Sequence, residues 1–120
     1  MQQVVTLWYR PPEILMGCKT YALPVDMWAV GTILAEMATK RPLFPGDSEI
    51  DELYKIFRVL GTPTNETWPG VELLQDWNPD FPIWPSLRVG KFCGSLEEQG
   101  VDLVEQLTQL DPKCRLSAKE

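Results

Sequence analysis

Histidine is absent from this sequence of 120 residues. That removes Ser-His-Asp and Cys-His nucleophile arrangements, imidazole metal ligands and the usual neutral-pH base, so chemistry carried by this chain alone would rest on carboxylates. Cysteine is scarce and odd in number, with Cys18, Cys93 and Cys114 in no CxxC spacing. Neither a disulfide framework nor a zinc site is indicated, no metal is implied, and reduced thiols in a cytoplasmic or nuclear protein are expected. There is no apolar run long enough to cross a bilayer, so no membrane partner is expected. Met1 is followed by polar residues rather than a basic and then apolar leader, which argues against secretion. Cations are outnumbered: 11 Lys and Arg stand against 17 Asp and Glu, for a net charge of −6. A nucleic-acid binder would carry a basic footprint, and none is seen. Alternating strand patterns, internal repeats and low-complexity segments are also missing.

What is there is 44% apolar and fits globular material of at most one domain, residues 1–120. The stretch TLWYRPPE (Thr6 to Glu13) crowds aromatics, a cation, two prolines and a carboxylate together. Adjacent prolines fix φ and forbid a helix across them, so this reads as a rigid, shaped loop. Val25 to Ala38 (VDMWAVGTILAEMA) is apolar nearly all round, with Pro24 suited to a first helical turn. Such a helix is expected to be buried on every face, which so short a chain has difficulty providing.

Ser48 to Leu60 places Ile50, Leu53, Tyr54, Phe57 and Leu60 on one stripe, capped by Asp47 or Ser48 and followed by Gly61. A further helix is expected from the capping-box pattern Ser95-Leu96-Glu97-Glu98, with Val101, Val104, Leu107 and Leu110 on one face, until Asp111-Pro112 stops it. Ser117 to Glu120 repeats the capping pattern. Between Pro69 and Gly94 lie prolines and glycines, with Trp77, Phe81 and Trp84 as anchors for an ordered loop. The fold class is therefore mainly α, helices joined by long loops rich in Pro and Trp.

VVTLWYRPPEILMG (Val4 to Gly17), VDMWAVG (Val25 to Gly31), FPGDSEID (Phe44 to Asp51), LGTPTNETWPGV (Leu60 to Val71) and LDPKCRLSA (Leu110 to Ala118) occur in that order. Taken together they resemble the cyclin-dependent protein kinases of the cell-division type, over essentially the whole chain. The resemblance implies a partial kinase-like C-terminal lobe, from within the activation segment to before the last helix. The parts that do phosphoryl transfer, namely the Gly-rich loop, the strand lysine, the His-Arg-Asp loop and Asp-Phe-Gly, are not in these residues. ATP and Mg²⁺ are thus implied for the parent kinase, with neither expected to bind this segment alone, and no catalytic residue is assigned.

The resemblance also assigns roles residue by residue. Glu13 matches the Glu of the Ala-Pro-Glu motif, with Pro11 in place of Ala, and would pair with Arg115. Asp26 would support the catalytic loop, as would Thr6; if buried, Asp26 would lack donors here and weaken independent folding. Val4, Val5 and Arg10 would form the pocket for the proline that follows the phosphorylated Ser or Thr. Trp8 and Tyr9 would pack the opening loop onto the helices. Asp47, Glu49, Ile50 and Asp51, with the Trp77 to Phe81 loop, match the surface for a small cell-cycle regulatory subunit. A cyclin would contact mainly the small lobe, outside these residues. Met1 stands where the family has its activating threonine, and Thr32 where it has cysteine. The implied function is proline-directed Ser/Thr phosphorylation, to which this chain would bring substrate docking and scaffold; the alternative is a non-catalytic decoy that binds the regulatory subunit or substrates.

Overall fold

Two prolines decide where the first element begins. In the structure, a computed structural model describing residues 7–19, 23–94 and 96–116, Pro11 is extended (φ −74°, ψ 160°) and Pro12 opens a one-turn helix, α1 (Pro12–Leu15). No helix crosses the proline pair, yet one starts directly from it, because a proline at the first helical position gives up an N–H that would have had no partner. The rigid loop thus ends in a buried helical turn that carries Glu13.

Helix α2 (Leu23–Thr39) holds Pro24 in its first turn and buries Trp28, Gly31, Thr32 and Ala35. Those positions make one stripe. Burial on every face does not occur among the described residues: Leu23, Val30, Ile33 and Met37 remain 44% to 68% exposed. A chain of this size has too little material to wrap a helix completely, so only the stripe facing the later helix Glu98–Leu107 and the central cluster is covered. Gly31 permits the close approach, since a Cβ there would stand 2.7 Å from the Leu107 Cβ. Thr32 donates its hydroxyl back to the Ala29 carbonyl at 2.9 Å. The helix closes on Lys40, which takes a left-handed φ of 67°.

Helix α3 (Glu49–Leu60) is capped by Ser48, whose Oγ accepts the Asp51 N–H at 3.1 Å, and ends at Gly61 with φ 91°. Acidic residues fill its first turn and Arg58 its last, the arrangement the helix dipole favours. Its buried face is Glu52, Leu53, Ile56, Phe57 and Val59. This corrects the expected stripe: Ile50 is 46% exposed, Tyr54 and Leu60 are half-buried, and a carboxylic acid lies inside. The helix is rotated because the loop Leu43–Gly46 folds over its first turn and seals Glu52.

From Pro69 to Gly94 the chain is irregular apart from short 3-10 turns at Val71–Leu73 and Val89–Phe92. Aromatic packing orders it. Phe81 sits edge-on to Trp77, Tyr54 and Phe57 at 5.1 to 6.2 Å, and Trp84 packs against Tyr54 with the Arg58 guanidinium 5.5 Å from its ring centre. Backbone bonds from Thr62 to Trp84 (3.1 Å) and from Leu87 to Val59 (2.8 Å) tie the loop to the end of α3.

Helix α4 (Glu98–Leu107) begins after Glu97, with no side-chain cap. Ser95 lies outside the described residues, as does the capping pattern at 117–120. The helix also stops earlier than expected, at Leu107, and Leu110 packs on the core from beyond its end. Asp111 instead caps a 3-10 turn, Pro112–Cys114, its Oδ1 accepting the Lys113 N–H at 3.0 Å. Early termination turns the Gln109 and Leu110 carbonyls toward Arg115. The core joins these elements around Trp28, which stacks on Phe44 at 5.9 Å, with Met16, Ile56, Phe57 and Val104 fully buried. No strand occurs among the described residues.

Candidate functional site

Arginine has five N–H donors in a planar fork, and Arg115 uses all of them. Nη1 and Nη2 each donate to one Glu13 carboxylate oxygen at 2.8 Å. The remaining donors reach the carbonyls of Pro24 (2.8 Å), Gln109 (2.9 Å) and Leu110 (3.0 Å). The fork lies with its central carbon 5.0 Å from the Trp28 ring centre. Both side chains are dry, at 0% and 5% exposure. A charge pair so placed offsets its desolvation only when geometry is good and every remaining donor is satisfied, and here both conditions hold. The latch closes a separation of 102 residues and fastens the segment carrying Glu13, the start of α2 and the turn after α4 to one another.

The opening segment is held at further points. The Trp8 indole donates to the Gly46 carbonyl at 2.9 Å, and the Tyr9 hydroxyl donates to Glu36 Oε1 at 2.6 Å. The bond to the Glu36 carboxylate, helped by desolvation and by its charge, pushes the Tyr9 phenol up to about 12. Arg10 pairs with Glu49 at 3.5 Å, an exposed contact that carries little energy but brings the opening segment against the first turn of α3.

That first turn is a small acidic face. Asp47, Glu49 and Ile50 are exposed; Asp51 is half-buried, accepts the Asp47 N–H at 2.9 Å and pairs with Lys55 at 3.6 Å. The Trp77 to Phe81 loop docks on the same helix through Phe81. Asp26 is exposed at the start of α2, so the folding penalty expected of a buried, donorless Asp26 does not arise. Val4, Val5 and Thr6 lie outside the described residues. The structure therefore brings Glu13 to Arg115 and Arg10 to Glu49, sets the acidic residues on one helical turn, and leaves Asp26 in solvent.

Sequence reading missed Glu52, which is fully buried with its carboxyl pushed up to about 8, first by desolvation. The available signal was its place three and four residues before Lys55 and Ile56, on the flank of the apolar stripe. It also missed a groove of about 500 Å³ between the end of α3 and the turn after α4, lined by residues including Trp84, Arg88, Glu105, Asp111 and Cys114. Among the described residues no group of three or more His, Cys, Asp or Glu is gathered as a metal ion would require.

A mainly helical unit whose opening segment is fastened to its far end by a dry, bidentate ion pair has the build of part of a protein kinase's helical lobe. The family model described as protein kinase domain matches residues 1–120, and the chain belongs to the protein kinase family.

Proposed function

We propose that this chain is the substrate-docking and scaffold segment of a cyclin-dependent-type Ser/Thr kinase, which transfers the γ-phosphoryl group of ATP to Ser or Thr preceding proline. The observation that carries the reading is the Glu13–Arg115 latch. It gives the segment bearing Arg10, and preceded by Val4 and Val5, a rigid seat on the helices, as a loop that must discriminate proline from other residues requires. Proline is the residue without an N–H, so a loop offering no acceptor at that position accepts it and rejects the rest. ATP and Mg²⁺ belong to the residues that carry the Gly-rich loop and Asp-Phe-Gly, and the protein works in the cytoplasm or nucleus. No described helix is long and apolar enough to cross a membrane.

The test is reconstitution. Mixed with a separately produced amino-terminal segment carrying those motifs, the chain yields phosphorylation of Ser-Pro peptides in preference to Ser-Ala peptides; equal rates on both would refute the proline-directed reading.

The exposure of Glu49 and Ile50 on the helix that the Trp77 to Phe81 loop docks against through Phe81 favours a second reading, a non-catalytic docking module for a small regulatory subunit. Retention of that subunit by the immobilised chain, abolished by Ile50→Asp, supports it. A calorimetric titration of the chain with Mg²⁺ and ATP then shows no saturable binding.

A further inference from the structure

Glu52 occupies the first turn of an amphipathic helix, where a carboxylate is ordinarily wet, yet none of its surface meets solvent. Oε1 accepts the Gly46 N–H at 2.8 Å. Oε2 is buried with no hydrogen-bond partner. The corner around it is closed sterically as well, since a Cβ at Gly46 would stand 2.5 Å from both the Glu52 Cα and Oε1. Trp8 holds the Gly46 carbonyl from the other side, and Phe44, two residues earlier, is locked under Trp28.

A bare carboxylate in such a corner costs far more than the neutral acid, even though the group at Oε2 lacks a partner in either form. The surrounding charges do not alter that balance. On its own helix Asp51 opposes ionisation and Lys55 favours it, and the two pair with each other. On the loop, Asp47 gives its backbone N–H to Asp51. On the opening segment Arg10 pairs with Glu49, and Glu13 is closed onto Arg115. Desolvation outweighs both the Gly46 bond and the Lys55 charge, the two influences that favour the anion.

We propose that Glu52 is a proton-holding latch: as the neutral acid it seals the Leu43–Gly46 loop onto the first turn of α3, and on losing its proton it draws in water and releases both. The released parts are those that carry Asp47, Glu49 and Ile50, so the acidic face itself loosens with rising pH.

The sign follows from linkage. An acid with an ordinary value of 4.5 when unfolded and about 8 when folded binds its proton more tightly in the folded chain. Its full stability is present below about pH 4.5 and is lost progressively toward about pH 8. With no histidine in the sequence, no other ordinary side chain titrates between about pH 5 and 7. The folding constant of the full chain, from urea unfolding, is expected to fall up to about tenfold per pH unit across that window. Glu52→Gln, which keeps the shape and an acceptor for Gly46, is expected to abolish the slope, and protection of the Gly46 amide against hydrogen exchange becomes independent of pH once intrinsic rates are removed. A wild-type chain with flat stability over the window, or a Glu52→Gln chain with an unchanged slope, overturns the proposal. Should that variant not fold, the ¹³C carboxyl shift of Glu52 in the wild type decides: titration near neutrality or above supports the latch, and titration with the surface glutamates sinks it.

Discussion

Cutting the Glu13–Arg115 latch from either side should be costly, and the structure says which side costs more. Glu13→Ala leaves a guanidinium at 0% exposure with two of its five donors orphaned. Breaking a buried pair from one side costs ~3–5 kcal/mol. Two charge-assisted hydrogen bonds at about 1.5–3 kcal/mol each give an overlapping range of about 3–6 kcal/mol. Arg115→Ala strands more. Besides the Glu13 carboxylate it orphans the Gln109 and Leu110 carbonyls, each liable for about 1–3 kcal/mol where water cannot reach, takes a donor from the Pro24 carbonyl in the first turn of α2, and empties the space over Trp28. Arg115→Ala is therefore expected to exceed Glu13→Ala by about 2 kcal/mol or more. Since small domains hold only about 5–15 kcal/mol in all, it should approach unfolding outright. Arg115→Lys falls in the same class, because a point ammonium cannot meet both carboxylate oxygens and three carbonyls at once. Urea unfolding followed by tryptophan fluorescence reports directly, as Trp28 lies under the guanidinium. If both single variants cost under about 1 kcal/mol, the pair behaves as a wetted surface contact and the reasoning fails; if Glu13→Ala proves the costlier, the role given to the three carbonyls is wrong.

Three smaller perturbations test the fold around the site. Lys40→Gly, at a left-handed φ of 67°, should raise stability by about 1 kcal/mol in thermal unfolding. Gly46→Ala should lower it by ~1–3 kcal/mol or more, because the added methyl meets the Glu52 backbone, which cannot move aside, as well as its carboxyl. Ser48→Ala removes the acceptor for the Asp51 N–H and should cost ~1 kcal/mol, read as a shift in urea midpoint with an unchanged m-value.

Where local rules governed, residue order alone was a sufficient guide. Ser48 capping and the glycine after Leu60 are decisions made within one turn of chain, by donors, acceptors and backbone freedom; the proline pair, read as a loop, opens α1 instead. The Thr32 back-bond is of the same kind. The partnership of Glu13 with Arg115 came from a resemblance rather than from periodicity, since no local signal relates residues so far apart.

Elsewhere the tertiary structure overruled the pattern. The apolar run from Val25 to Ala38 could announce a helix but could not say that only the Trp28, Gly31 and Ala35 stripe would find cover, because cover depends on what else folds alongside. α4 stops short of Asp111, and the Gln109 and Leu110 carbonyls meet Arg115 rather than continuing the helix. Glu52 is dry because a distant loop with a glycine in the right place happens to close over it. Sequence by itself determined the class of fold, the three long helices in outline and the Ser48 cap, since those energies are short-range. Which side chains lose their water, and with it which charges become strong, was decided only by the three-dimensional packing, because burial is a property of neighbours brought together across the whole chain.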